Sequence, residues 1–130
     1  MLPVLLVALI AGAWLWGNRG KESPEAGPTP KSTLHLEPFV LNLADPGQRA
    51  YLRVGVDLGL GRDVGKGEDA PPVAEIRDTI LGVLGQCRAD DLLTVGGKNK
   101  LKADLLQALQ AKAPEQKIEE VYFTEFLIQR

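Results

Sequence analysis

Ile118-Glu119-Glu120-Val121-Tyr122-Phe123-Thr124-Glu125-Phe126-Leu127-Ile128-Gln129 is the stretch that decides the fold. It is dense in β-branched and aromatic residues and contains neither glycine nor proline, which is the composition of a β-strand. Counting in steps of two puts Val121, Phe123 and Leu127 on one face and Ile118, Tyr122, Phe126 and Ile128 on the other, so neither face is polar. A strand that is apolar on both sides is central in its sheet or has one face against a partner. With Val121, Phe123 and Leu127 assigned to the covering helices, Tyr122, Phe126 and Ile128 become the candidate interface.

The covering helices lie directly upstream. Between residues 94 and 112, Leu101, Leu105, Ala108 and Leu109 form an apolar stripe and Lys98, Lys102 and Gln110 stand outside it, with Thr94 as the expected N-cap and Pro114 beyond the end. Before it, Pro71-Pro72 opens a helix over residues 73–87. Val73, Ile76, Ile80, Val83, Leu84 and Cys87 recur there with helical period, opposite Glu75, Asp78, Gly82 and Gln86. Cys87 is then a buried core thiol. Gly82 and Gly85 each cost about 1 kcal/mol relative to alanine inside a helix, so this helix is weak. Residues 89–93 make one further helical turn.

Further upstream the period changes to two. Leu52, Val54, Val56, Leu58 and Leu60 alternate with Tyr51, Arg53, Gly55, Asp57 and Gly59, giving a strand whose Leu/Val face meets helices and whose Arg53/Asp57 face is wetter. Asp45-Pro46-Gly47 is a turn, which makes this strand the second arm of a hairpin. The first arm spans residues 34–43. Its apolar phase slips from Leu34 and Leu36 to Phe39, Leu41 and Leu43, so a bulge is expected at Glu37-Pro38. His35 within it reads as a solvated or hydrogen-bonded histidine, and residues 61–70 as a mobile loop.

Residues 2–16 carry no charge. They span about 22 Å as a helix against roughly 30 Å of hydrocarbon, a marginal length for a membrane anchor. Leu5, Leu6, Leu9 and Ile10 would face lipid, Trp14 and Trp16 would sit at the interface, and Arg19 and Lys21 follow as a polar stop. A cleaved signal peptide has a small-residue site at Ala11-Gly12-Ala13 but lacks a basic leader, and a core helix would need a polar face. Taken alone, the positive-inside rule would keep the Arg19/Lys21 end cytoplasmic. Pro24, Pro28 and Pro30 make the next segment a semi-extended linker. The expected organisation is an anchor at 1–18, a linker at 19–32 and an α+β domain at 33–130. In that domain a small antiparallel or mixed sheet, built from the hairpin and the long last strand, packs on two to three helices.

Fifteen Lys and Arg against seventeen Asp and Glu, a net charge of -2, exclude nucleic acid as a partner. A single cysteine and a single histidine supply no metal-ligand set, and no cofactor is expected. Gly96-Gly97-Lys98-Asn99-Lys100 lacks the glycine spacing and the Ser/Thr of a phosphate loop. The adjacent carboxylates Asp90/Asp91 and Glu119/Glu120 do not converge as an acid-base pair would, so an enzyme is not expected.

The chain holds, in this order, Leu36-Glu37-Pro38-Phe39-Val40-Leu41-Asn42-Leu43-Ala44-Asp45-Pro46-Gly47, Tyr51-Leu52-Arg53-Val54, Glu75-Ile76-Arg77-Asp78-Thr79-Ile80-Leu81, Asp91-Leu92-Leu93-Thr94 with Gly97-Lys98 and Leu101, and Val121-Tyr122-Phe123-Thr124-Glu125-Phe126. This series of segments resembles the FliL family of the flagellar basal body. The resemblance implies a single-pass inner-membrane protein with a periplasmic domain similar to the stomatin-like (SPFH) fold. It also implies homo-oligomeric rings around the ion-driven stator channel proteins of the flagellar motor, with support of torque under load. An accessory subunit of another ion-driven motor, a pilus or a secretion complex is the alternative reading.

Overall fold

The computed structural model describes residues 29–130. The expected anchor at 1–18, with Leu5, Leu6, Leu9, Ile10, Trp14 and Trp16, and most of the expected linker at 19–32 lie outside that range. Among the described residues no helix is long and apolar enough to cross a membrane.

Among the described residues four strands and three α-helices follow in the order β1 (Ser32–His35), β2 (Phe39–Asn42), β3 (Tyr51–Leu60), α1 (Val73–Leu84), α2 (Ala89–Leu92), α3 (Gly97–Lys112) and β4 (Ile118–Gln129). Every strand pairing is antiparallel. β4 pairs with β3 along its whole length, from Tyr51 opposite Gln129 to Leu60 opposite Ile118. β1 and β2 therefore share the other edge of β3, β1 opposite residues 57–60 and β2 opposite residues 51–54. In effect they are one strand broken at Glu37-Pro38, where the register gains a residue, as the phase slip in the sequence requires. The Arg77 guanidinium closes this bulge: it stacks on the Phe39 ring at 4.0 Å and donates to the Glu37 carbonyl at 2.7 Å.

The centre of the sheet is β3, not the C-terminal strand. Leu52, Val54, Val56, Leu58 and Leu60 are each 0% exposed. They face a helical layer in which Ile76, Ile80 and Leu84 of α1, Leu92 of α2, and Leu101, Leu105 and Leu109 of α3 are buried. All three helices thus bury one side against one sheet face, a two-layer α+β arrangement. α1 ends at Leu84 with Gly85 as its cap, so it is shorter than the periodicity suggests. A Cβ on Gly82 would meet nothing within 4 Å, which leaves no close backbone approach to explain that residue.

The hairpin turn forms at Pro46–Gln48, with Gly47 at φ 76°. It is tied to the α1–α2 connection: the Ala44 amide donates to the Cys87 carbonyl at 2.8 Å, and Asp45 Oδ1 accepts from the Ala89 amide at 2.8 Å. A carboxylate therefore sits at the start of α2, where orphan donors and the helix dipole both favour it. At the opposite end Arg62 bridges two loops, donating to Gln116 Oε1 at 3.2 Å and to the Asp69 carbonyl at 3.1 Å. Gln116 is buried there at 5% exposure.

Removing the Arg77 side chain leaves the bulge carbonyl at Glu37 without its charged donor and uncovers Phe39. Arg77→Ala is expected to lower stability by about 1–2 kcal/mol, and Arg77→Lys to restore only part of it because an ammonium cannot stack as the planar fork does. Urea denaturation of the two variants beside the parent measures both values.

Candidate interaction surface

β4 does not keep a constant phase. Gly55 lies opposite Glu125 and Val56 opposite Phe123, which leaves Thr124 as an extra residue; Gly59 lies opposite Glu120 and Leu60 opposite Ile118, which leaves Glu119 as another. Each bulge moves the side-chain alternation on by one. Ile118, Val121, Phe123, Phe126 and Ile128 consequently all face the helices, opposite Leu60, Leu58, Val56, Val54 and Leu52. Tyr122, Phe126 and Ile128, expected together on one face as an interface, do not share a face. Tyr122 does point outward, at 38% exposure, whereas Phe126 and Ile128 are half-buried on the helical side. Leu127, expected beneath the helices, stands on the outer face at 51% exposure.

Half-burial of the two phenylalanines has a specific cover. Their rings lie 5.4 Å apart at 56°, and Lys98 and Lys102 of α3 lay their ammonium groups over Phe126 at 5.1 Å and Phe123 at 5.6 Å. The lysine stems shield the rings while the charges stay wet, a cation–π arrangement. The face that the sequence assigned to solvent on α3 is therefore also the flank cover of β4.

No helix covers the other side of the sheet among the described residues. Its cross-strand rows follow from the register: Thr33, Gly59 and Glu120; His35, Asp57 and Tyr122; Val40, Arg53 and Leu127; Asn42, Tyr51 and Gln129. His35 Nδ1 lies 2.8 Å from Asp57 Oδ1, and Arg53 Nε lies 3.3 Å from Glu125 Oε1. His35 is thus hydrogen-bonded on an exposed face. Gly55 and Gly59 keep the middle of this face flat. A Cβ at Gly55 would run into Thr124 Oγ1, and one at Gly59 would come within 2.7 Å of Pro30 and 3.1 Å of Glu120. The large apolar residues it exposes are Val40 at 63%, Tyr51, Leu127 and Tyr122.

A concavity of about 610 Å³ opens at the end of the domain that holds the hairpin turn. Val83, Cys87, Leu92 and Leu101 give it an apolar floor, and Gln86, Asp91, Lys100 and Asp104 form its rim. Lys100 Nζ and Asp104 Oδ2 pair at 2.8 Å, a hydrogen bond that raises the lysine pKa. Cys87 is only half-buried, not the core thiol expected; its hydrogen points to the Val83 carbonyl at 3.5 Å. Burial pushes its pKa up, and the Asp104 carboxylate pushes it further the same way. Leu93 and Val95 project beside the groove, Val95 fully exposed. Thr94 does not cap α3: its hydroxyl donates back to the Asp91 carbonyl at 2.7 Å, and the helix starts at Gly97 behind Gly96. Gly97 is explained by contact rather than phosphate, because a Cβ there would collide with the Asp91 and Leu92 carbonyls. Asp90, one of the paired carboxylates, binds Arg130 Nη1 at 3.0 Å. Among the described residues no group of three or more His, Cys, Asp and Glu lies together as a metal site would need.

The family model described as "Flagellar basal body-associated protein FliL" matches residues 33–129. The flagellar protein FliL of Aquifex aeolicus (strain VF5) is 32% identical over 92 residues, which is 71% of this chain and 57% of that protein. The chain thus spans little more than half the length of that curated relative.

Phe126→Asp would place a carboxylate in the helix-facing layer and abolish the aromatic pair; a loss of roughly 2–4 kcal/mol is expected, against less than about 0.5 kcal/mol for the outward Tyr122→Asp. Thermal unfolding of the pair discriminates the observed phase of β4 from simple alternation. Cys87 supplies another check. With its pKa raised, less thiolate is present at neutral pH, so its alkylation by iodoacetamide should be slower than that of a free thiol at pH 7.5 and should accelerate at a higher pH. A rate that plateaus already at neutral pH contradicts this.

Proposed function

We propose that this chain, which belongs to the FliL family of flagellar basal body-associated proteins, is a non-enzymatic accessory protein that oligomerises around the ion-driven stator units and supports them. The observation that carries this reading is the extent of the family match, from Thr33 in β1 to Gln129 in β4, which takes in every element of the fold. In this reading residues 1–18 anchor the chain as a single pass in the inner membrane. The linker then holds the folded domain on the periplasmic side, next to the part of the stator that emerges from the bilayer.

Two features of the domain support an assembling rather than a catalytic role. One side of its sheet carries exposed Val40, Tyr51, Tyr122 and Leu127 among charged pairs, the mixed character of a non-obligate interface. The chain also enters the fold at one end, through residues 29–31 before β1, while the hairpin turn, α2 and the C-terminus lie at the other. The ten-residue β3, which β4 follows from end to end, separates those ends by roughly 30 Å at about 3.3 Å per residue, so a tethered domain could reach well away from the membrane surface.

The test is mild cross-linking of cells that carry an affinity-tagged full-length chain at its own locus, followed by detergent extraction and identification of what is recovered. A stator channel protein in the recovered complex is the expected result. Recovery of pilus or secretion components without any ion channel would overturn it.

A further inference from the structure

Both edges of the sheet end in strands that pair with nothing else among the described residues: the outer edge of β4 on one side, and that of β1 and β2 on the other. Such edges offer a row of backbone donors and acceptors, and a soluble domain either disguises them or uses them. The β1–β2 edge is disguised only by the Glu37-Pro38 bulge between its two strands, and Lys98 and Lys102 of α3 cover the helix-facing flank of β4 rather than its outer backbone edge. β4 has only its two bulges and its acidic residues, Glu119, Glu120 and Glu125, with no basic residue between Ile118 and Gln129.

We propose that copies of this chain join by continuing the sheet, the outer edge of β4 in one copy pairing with the outer edge of β1 and β2 in the next. The inference rests on the oligomeric reading above and names the surface that would carry it. Three observations select this pairing. First, β1, β2 and β4 are all antiparallel to β3, so they run in the same direction. A neighbour in the same orientation then meets β4 as a parallel strand, and every copy enters its fold from the same side, as chains tethered in one membrane must. Antiparallel pairing of β4 with β4 of a second copy would put the two entry points at opposite ends.

Second, the side chains at the two edges match along the rows. Val40 and Leu127, the most exposed apolar residues of the open sheet face, flank Arg53 on opposite sides, so extending the row brings Val40 of the next copy beside Leu127. Thr33 of the next copy comes beside Glu120, and Lys31, whose amide bonds the Leu60 carbonyl, comes near the Glu119 carboxylate that lies over Gly61. Third, charge disfavours the alternative: two β4 edges together would gather six carboxylates, whereas the β1 edge brings Lys31. A contact between two different edges is head-to-tail; it closes into a ring if the rotation per copy permits and otherwise grows.

Disulfide trapping tests this in the full-length chain in membranes, with Cys87→Ser as background. Within one copy Val40 and Leu127 are two strand spacings apart, about 9–10 Å, beyond the reach of a disulfide, so any bond formed between cysteines at those positions joins two copies. Mild oxidation of the V40C, L127C double variant should give a ladder of covalent dimers, trimers and larger species, and a mixture of the two single variants should give dimers only. L127C alone cross-linking to itself as efficiently would overturn the proposal in favour of self-pairing. No ladder in the double variant, while an amine-reactive cross-linker still yields oligomers, would overturn the edge contact and leave the oligomeric reading standing. Monomers with both reagents would overturn the two together.

Discussion

The pairing of β3 with β4 is the constraint on which the rest of this domain depends. It joins the middle of the chain to its end and lays down the longest part of the sheet on which the helical layer packs. Because β3 lies between β4 on one edge and β1 and β2 on the other, its five leucines and valines are excluded from water completely. The helices then cover one face only. A domain with one covered face and one open face has a direction built into it, and the shared direction of β1, β2 and β4 adds a second: one end receives the chain and the other gathers the turn, α2 and the C-terminus.

The long pairing survives only because β3 accommodates irregularity in its partner. Two apolar residues three apart, Ile118 and Val121, and again Phe123 and Phe126, cannot share a face in a regular strand; each bulge between them lets them do so. The glycines of β3 are what permit this. Gly55 lies under the Thr124 bulge and Gly59 under Glu120 and Pro30, at positions where a side chain has no room. The flat, open outer face and the correctly phased inner face are thus two results of the same pair of residues.

This also explains which parts of the fold were legible in the sequence. β3 alternates strictly and faces helices on one side, so its period was plain. The bulge at Glu37-Pro38 announced itself because proline cannot donate to a ladder and the leucine phase visibly slipped. In β4 no proline marks the irregularity, and apolar residues fall on both nominal faces, so regular alternation gave a self-consistent but wrong division. The warning lay in the neighbouring strand, where Gly55 and Gly59 interrupt a run otherwise suited to larger residues. Thr94 misled in a different way: a threonine before a helix reads as a cap, but here its hydroxyl closes the preceding turn, and Gly97 is required by the approach of α2. The distal groove had no sequence signal, since Val83, Cys87, Leu92 and Leu101 meet only through packing.

The way the chain enters the fold has a mechanical consequence. β1 runs away from its entry point along the same axis as its backbone, so tension on the N-terminal side pulls it lengthwise past β3 rather than peeling it away. In that shear geometry the bonds opposite Asp57 through Leu60 bear load together instead of breaking in turn. The bulge held by Arg77 lies next in line, and the Phe39 ring beneath the guanidinium would have to slide past its clamp before β2 could follow. A domain pulled from its N-terminal side would therefore yield in two stages, with the helical core last to feel the force.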